Sequence, residues 1–144
     1  MIVLDTNVIS EPMKPGGSAA VLAWLDRQAV DTLYLTATSL AELLVGIQML
    51  PGEKRKVGLE TALAKLLADL FGPRVLPFDQ HAATLYATLV GRARTAGKTI
   101  SVADGQIAAI AHAHGYSIAT RDAMPFLAAG VQVINPWKDV IAKS

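Results

Sequence analysis

The sequence predicts an α/β protein in which helices cover both faces of a parallel sheet of short strands. Apolar runs such as residues 2–4 have the composition of strands that are buried on both faces. Segments between these runs place apolar residues at helical spacing. Because the runs and the helical segments alternate along the chain, the strands are expected to be parallel, as in βαβ units.

Five strands are expected, and each is a short run of apolar or β-branched residues next to turn residues. The run at residues 75–76 stands between two prolines and is therefore predicted to be short. The five runs cover residues 2–4, 32–35, 75–76, 116–119 and 131–134.

Six helices are expected, and capping residues mark several of their ends. Thr38 or Ser39 is suited to cap the second helix, Asp79 the fourth and Ser101 the fifth. Residues 12–18 are rich in proline and glycine and are predicted to form a loop. The helices cover residues 19–29, about 39–50, 53–71, 80–96, 101–115 and 123–129.

The composition limits the classes of protein to consider. The chain has 144 residues, the size of one domain, and we expect one domain over residues 1–144. Hydrophobic residues make up 52% and charged residues 17%, which indicates a buried sheet, an apolar subunit interface, or both. Without cysteine, disulfides and thiolate metal sites are excluded. The N-terminus lacks signal-peptide features and charges interrupt the apolar stretches, so we expect a cytoplasmic protein without a membrane span.

Four acidic residues are candidates for chemistry, although each also has an ordinary structural explanation. Asp5 and Asp122 follow strands and could cap the helices that come next. Asp104 lies three residues after Ser101, in the spacing of a capping box. Glu42 lies on a helix that is apolar almost all round, within a narrow polar stripe that could face either solvent or a site.

The four acids together suggest a metal site. Two lie beyond strand ends, at the edge where open α/β sheets bind ligands, and two lie on largely apolar helices, where an unpaired carboxylate is costly. If they converge, two charges about 4 Å apart repel by roughly 4 kcal/mol at an effective dielectric constant near 20. A hard divalent cation relieves this repulsion, and Mg²⁺ and Mn²⁺ prefer oxygen ligands. Such a cation can activate water and neutralise charge on a phosphate ester.

Five segments form an ordered set of motifs. They are Leu4-Asp5-Thr6-Asn7-Val8-Ile9-Ser10-Glu11, Thr38-Ser39-x-x-Glu42-Leu43-x-x-Gly46, Ser101-x-Ala103-Asp104-Gly105-x-Ile107-Ala108-Ala109, Ala119-Thr120-Arg121-Asp122 and Asn135-Pro136-Trp137. This set resembles the PIN-domain ribonucleases, and in particular the FitB-like branch of the VapC toxins of bacterial toxin–antitoxin pairs. The resemblance extends over essentially the whole chain, with the motifs in the order of the family.

The resemblance implies a three-layer α/β/α fold and an endoribonuclease that depends on Mg²⁺ or Mn²⁺. It assigns metal binding and catalysis to Asp5, Glu42, Asp104 and Asp122, with Asn7 and Thr120 as supporting polar residues that hold ligands or waters in place. In the fourth motif the acid stands at the first of two positions used by the family, which leaves direct or water-mediated contact with the metal open. The resemblance also implies a homodimer and a cognate antitoxin that covers the active site.

The net charge of +1 means that RNA would have to bind through local clusters of basic residues. Arg92, Arg94 and Lys98 lie where a helix ends, which favours contacts with its last carbonyl groups, although the same cations could attract RNA phosphates. The segment at residues 91–99 is not a P-loop, because five residues rather than four separate its glycines. Arg121 is a candidate for a phosphate contact, or for a salt bridge to one of the acids.

Two other functions remain open on the sequence alone. A phosphatase of the haloacid dehalogenase type also has an aspartate after its first strand, but it needs a second acid where this chain has Asn7. A PIN fold could instead be catalytically weak and act mainly as the antitoxin-bound subunit of an operator-binding complex. The presence of all four acids favours the ribonuclease over this second alternative.

Overall fold

A computed structural model describes residues 1–138 of the protein and contains a five-stranded parallel sheet at its centre. Every strand pair is parallel, and the order across the sheet is β3-β2-β1-β4-β5. The parallel sheet of short strands that the sequence predicts is therefore confirmed. The strands are β1 (Ile2–Leu4), β2 (Leu33–Thr36), β3 (Val75–Leu76), β4 (Ser117–Ala119) and β5 (Val133–Ile134).

In the described part of the chain, seven helices cover the two faces of the sheet. On one face lie α1 (Thr6–Met13), α2 (Ala19–Arg27), α3 (Ala37–Gln48) and α4 (Glu53–Leu66), which continues as a π-helical turn (Leu67–Phe71). A 3₁₀ turn (Val30–Thr32) precedes β2. On the other face lie α5 (Gln80–Thr95), α6 (Val102–His114) and α7 (Ala123–Ala128). The architecture is the three-layer α/β/α fold.

Alternation along the strands divides the hydrophobic core into two clusters. In the central strand, Leu4 belongs to the cluster beneath α1–α4, whereas Val3 belongs to the cluster beneath α5–α7. Val3 stands in register with Tyr34 on β2 and Ile118 on β4, which face the same way. Since successive side chains of a strand point to opposite faces, β1, β2, β4 and β5 each supply both clusters.

The path of the chain places the carboxyl ends of β1 and β4 side by side. From β1 the chain moves outward to β2 and β3 through helices on one face, and then returns through α5 and α6 on the other face to β4. Because parallel crossovers are right-handed, this change of direction requires the change of face. The point between β1 and β4 is therefore the topological switch point, where such sheets bind ligands.

The sequence allows for a helix after Asp5, but it does not predict the range of this helix. Residues 12–18 were expected to form a loop, but α1 starts directly after β1 and includes Pro12 in its last turn. Pro12 has no N–H to donate, and the helix ends one residue later. The remaining loop is held by Glu11, whose carboxylate accepts hydrogen bonds from Ser18 N at 2.9 Å and Lys14 Nζ at 2.6 Å.

Two other helix boundaries differ from the predictions. Thr36, the last residue of β2, caps α3 by accepting a hydrogen bond from Ser39 N at 3.0 Å. Neither Thr38 nor Ser39 is the cap, because the strand leads into the helix without an intervening loop. The helix expected over residues 53–71 changes at Leu67 to a π-helical turn.

The high content of hydrophobic residues is only partly explained by the two core clusters. Large apolar side chains also remain exposed on α3 and its C-cap, on α6 and on α7, namely Leu44, Val45, Met49, Val102, Met124 and Leu127. Within residues 1–138, no helix is long and apolar enough to cross a bilayer. The buried sheet that the composition indicates is therefore present, and an apolar subunit interface stays a prediction.

Close packing of α5 against α6 depends on the absence of a side chain at Gly105. A Cβ atom placed there would lie 2.8 Å from Tyr86 Cε2 and 3.2 Å from Val90 Cγ2. These distances are shorter than van der Waals contact, so a larger residue must displace α5 or α6. Gly105 immediately follows Asp104, and the close approach therefore also sets where that acid lies.

We expect Gly105→Ala to lower the free energy of unfolding by about 1–3 kcal/mol, because the added methyl group overpacks the contact with Tyr86. Urea denaturation followed by circular dichroism measures this change. Gly91→Ala on α5 is the matched control, since nothing lies within 4 Å of the added Cβ. That variant should gain about 0.5–1 kcal/mol from helix propensity. Stabilisation by both substitutions would contradict the proposed close approach.

Candidate metal centre

The four acids predicted from the sequence line one cleft at the carboxyl edge of the sheet. The cleft has a volume of about 370 Å³. Asp5 comes from the end of β1, Glu42 from α3, Asp104 from the first turn of α6, and Asp122 from the loop after β4. Residues from both helical layers thus meet at the topological switch point. The lining residues are Asp5, Thr6, Asn7, Ser10, Glu42, Asp104 and Asp122.

Asp5 lies deepest in the cleft and is only 5% exposed. Its Oδ1 accepts a hydrogen bond from the backbone N–H of Thr6 at 2.8 Å. Its Oδ2 accepts one from the hydroxyl of Thr120, also at 2.8 Å. Asp5 is thus the N-cap of α1, as its ordinary explanation required, and it also faces the other acids of the cleft.

Burial and neighbouring charge make Asp5 and Asp104 harder to ionise. Desolvation is the main cause that raises the pKa of Asp5 from 3.8 to about 6, and the charges of Asp104 and Glu42 raise it further. The hydrogen bonds from Thr120 and Thr6 oppose this shift. Desolvation also raises the pKa of Asp104, with added repulsion from Asp122 and Glu42. These mutual effects indicate four negative charges that share a small volume.

The hydroxyl of Thr120 connects the two strand ends at the switch point. It donates to Asp5 Oδ2, and it accepts hydrogen bonds from Asn7 Nδ2 at 3.3 Å and from the backbone N–H of Asp122 at 3.0 Å. A hydroxyl has one donor and two acceptor sites, so Thr120 Oγ1 is fully used. Asn7 Oδ1 also accepts from the backbone N–H of Arg121 at 3.3 Å. Asn7 and Thr120 therefore support the acids, by holding the loop that carries Asp122 against α1.

Helix capping does not account for Asp122, and Asp104 contacts the cap of its own helix, Ser101, without being that cap. Asp122 occupies the N-cap position of α7 but makes no side-chain capping bond. In α6 the cap is Ser101, whose hydroxyl accepts a hydrogen bond from the backbone N–H of Asp104 at 3.1 Å. Both carboxylates are thus available to the cleft that they line.

Glu42 lies on the exposed side of α3 and is tied to α1 by a residue that the sequence analysis missed. The hydroxyl of Thr6 donates a hydrogen bond to Glu42 Oε1 at 2.7 Å. Ser10, one turn after Thr6, also lines the cleft. Their spacing would have indicated one polar side of a helix, but the range of α1 was not predicted from the sequence.

The donor set fits a hard divalent cation that retains water. All four acids supply oxygen ligands, and no lysine, arginine or histidine of residues 1–138 lines the cleft. The two ion pairs found in residues 1–138, Lys14–Glu11 and Lys65–Asp69, leave these acids without a protein cation. In the same range, no three acidic or histidine side chains stand close enough to coordinate one ion by themselves. An ion here would therefore need water molecules to complete its coordination, as Mg²⁺ usually does.

The basic residues predicted to bind RNA lie outside this cleft. The guanidinium of Arg121 lies over the ring of Trp137, 4.1 Å from its centroid, rather than in an ion pair with one of the acids. Arg92 and Arg94 are in the last turn of α5, and Lys98 follows in the connection to α6. All four residues are exposed, and RNA binding by them stays a prediction.

Comparisons with protein families, with individual proteins and with solved structures find the same family along most of the chain. The PIN domain family matches residues 2–130. The chain is 51% identical over 138 residues to the VapC ribonuclease Y4jK of Sinorhizobium fredii, covering 96% of this chain and 99% of that protein. It is 47% identical over 139 residues to Toxin FitB of Neisseria gonorrhoeae, covering 96% and 100%. The solved structure of FitAB bound to the IR36 DNA fragment superposes with a TM-score of 0.89 at 45% identity, covering 95% and 96%.

The raised pKa of Asp5 makes the metal-free protein less stable at neutral pH than it would be without this charge. The folded pKa of about 6 exceeds the unfolded value of 3.8, so the folded state binds more protons between these values and stability falls as pH rises through them. We expect Asp5→Asn to raise the free energy of unfolding by about 1–3 kcal/mol at pH 7.5, and to lose this advantage below about pH 4.

Urea denaturation in EDTA at pH 7.5, 5.5 and 4 tests this pH dependence. Glu60→Gln, which removes an exposed carboxylate from α4, is the control and should change stability little at any pH. If Asp5→Asn is less stable at pH 7.5, the hydrogen bonds accepted by the Asp5 carboxylate outweigh the cost of burying its charge.

Removal of the Thr120 hydroxyl should destabilise the protein, because the hydrogen bonds that join the ends of β1 and β4 are lost. Thr120→Val leaves Asp5 Oδ2, Asn7 Nδ2 and the N–H of Asp122 without their shared partner, at an expected cost of about 1–3 kcal/mol. Thermal unfolding measures the loss, and Thr120→Ser, which keeps the hydroxyl, should recover most of it. An equal loss in the serine variant would assign the effect to the methyl group.

Proposed function

The chain belongs to the PIN-domain family, in the branch of the VapC and FitB toxins, and from this premise we propose that it is a metal-dependent endoribonuclease and the toxin of a type II toxin–antitoxin pair. One observation carries the catalytic part of the proposal. Four carboxylates from both helical layers line a single cleft, and none of the lysine, arginine or histidine residues that the structure describes lines it. Among the alternatives, family membership favours the ribonuclease over the haloacid dehalogenase type of phosphatase.

The chemistry of the acids explains why activity would require a divalent cation. RNA is a polyanion, and its phosphates are repelled by a cleft lined by carboxylates. Bound Mg²⁺ or Mn²⁺ supplies neutralisation of phosphate charge and activation of water. Asp5, Glu42, Asp104 and Asp122 would hold the ion and its waters, with Asp122 in contact either directly or through water.

Asp5 has the properties of a residue that also handles a proton. In the protein without a bound cation, its pKa of about 6 lies near neutral pH, where a carboxyl group can both accept and release a proton. Thr120 and the backbone of Thr6 fix the direction of its two oxygens. Arg121, Arg92, Arg94 and Lys98 would attract the RNA strand from outside the cleft.

The surface beside the acid cleft is suited to bind a cognate antitoxin. An apolar groove of about 730 Å³ adjoins the acid cleft and shares Thr6, Ser10 and Glu42 with it. An antitoxin segment that fills the groove would also cover the acids. We further propose a homodimer, supported by the exposed apolar residues of α3 and α6, and a cytoplasmic location, where the RNA substrates are.

A second candidate function is a role in an operator-binding complex. The similar structure of FitAB is bound to a DNA fragment. A toxin subunit held by its antitoxin on DNA could contribute to repression without cleaving RNA. The two functions are compatible, and the catalytic assay below distinguishes an active enzyme from a subunit that acts only within such a complex.

Purified protein freed of antitoxin should cleave total RNA or transfer RNA with Mg²⁺ or Mn²⁺ but not with EDTA. Asp104→Asn should reduce the rate by about 100-fold or more, since loss of even an outer-shell partner of a metal typically costs 10- to 100-fold. Gel electrophoresis of the RNA over time measures the rate.

Glu60→Gln serves as the control, because it removes an acid outside the cleft and should leave the rate unchanged. Full activity of Asp104→Asn, or cleavage that persists in EDTA, would overturn the proposed mechanism. A folded protein that binds Mn²⁺ but cleaves no RNA would favour the operator-binding role.

A further inference from the structure

The distance between Glu42 and Asp104 is not set by either core cluster. Glu42 belongs to α3, which is anchored through Leu43 and Ile47 in the cluster on one face of the sheet. Asp104 belongs to α6, which is anchored through residues such as Ile107 in the cluster on the opposite face. The sheet separates these clusters, so the separation of the two acids depends on the direct contact between α3 and α6.

The other acids are held differently. Asp5 and Asp122 are tied together at the switch point through the hydroxyl of Thr120. The bond from Thr6 to Glu42 joins α1 to α3 within a single layer, and it does not fix Glu42 relative to Asp104.

A hydrogen bond between Thr38 and Gln106 spans the two layers. Thr38 Oγ1 donates to Gln106 Oε1 at 2.9 Å. Across the part of the chain that the structure describes, this is the one side-chain hydrogen bond that joins a helix of one layer to a helix of the other. Thr38 lies one turn before Glu42 on the same side of α3, and Gln106 lies two residues after Asp104 on α6. The bond is also available because Thr36, not Thr38, caps α3.

We propose that Thr38 and Gln106 are positioning residues that form an interlayer brace, and that this brace sets the separation of Glu42 and Asp104 for a divalent cation. The inference rests on the proposed metal-dependent function. A single, partly exposed hydrogen bond adds little to the stability of the fold. Its effect on the cation is larger, because Mg²⁺ and similar ions tolerate little departure from their preferred ligand geometry.

The brace predicts a change in metal affinity that exceeds any change in stability. Isothermal titration calorimetry with Mn²⁺ alone, on antitoxin-free protein, measures the Kd without relying on catalysis. Thr38→Val and Gln106→Met should each weaken Mn²⁺ binding by about 3- to 10-fold. This is no more than the loss of metal affinity that typically follows removal of an outer-shell partner of a metal ligand. Thr38→Ser keeps the hydroxyl and should bind Mn²⁺ like the unaltered protein.

The double variant tests whether the two residues act through one bond. Thr38→Val with Gln106→Met should bind Mn²⁺ no more weakly than the weaker single variant, because the shared bond is lost only once. Thr61→Val is the matched control, since it removes a helical hydroxyl bonded to Val57 O within α4 and should leave the Kd unchanged. Thermal unfolding of every variant accompanies the titrations.

The outcomes separate the brace from the function on which it rests. If the unaltered protein binds Mn²⁺ and both single variants bind it equally well, the brace is wrong and the metal-dependent function stands. Additive losses in the double variant would also overturn the brace. If Thr38→Val fails to fold, Gln106→Met decides, and failure of both to fold would assign the pair to general stability. If the unaltered protein binds no Mn²⁺, the proposed function fails and the inference with it.

Discussion

The burial of the Asp5 carboxylate between β1 and α1 is the constraint on which the rest of the site depends. A carboxylate that is 5% exposed is costly unless donors reach both of its oxygens. One donor is local, the N–H of Thr6, but the other is the hydroxyl of Thr120, 115 residues further along the chain. That second donor is present only because β4 lies beside β1. Both oxygens of the buried Asp5 carboxylate are therefore hydrogen-bonded only in a sheet that places β4 next to β1.

The same constraint explains how one cleft collects acids from distant parts of the chain. Right-handed crossovers send the chain to one face of the sheet before β3 and to the other face after it, so α3 and α6 reach the switch point from opposite sides. Their acids meet only in the folded protein. A cation that binds the folded state alone would offset the repulsion between them and add to stability through mass action. Binding of the proposed cation and folding would thus be coupled energetically.

The sequence alone predicted secondary structure correctly where residues close together in the chain decide the conformation. The strands and most helices follow from apolar runs, periodic leucines and caps such as Asp79 and Ser101, which the structure retains. The range of α1 was not predicted, because Pro12 and the glycines after it resemble a loop when the anchoring of Glu11 is not known. The cap of α3 was placed two or three residues late, because the direct passage from β2 into the helix leaves no loop to recognise.

By itself the sequence determined the fold class, the alternation of strands and helices, and the identity and order of the four acids, since these depend on residue type and spacing. Only the tertiary structure decided that the acids share one cleft, that burial raises the pKa of Asp5, and that the hydroxyl of Thr6 donates a hydrogen bond to Glu42. It also decided that Arg121 lies on Trp137 instead of among the acids, and that Thr38 reaches Gln106. These are contacts between residues far apart in the chain, and a local pattern does not contain the distances between them.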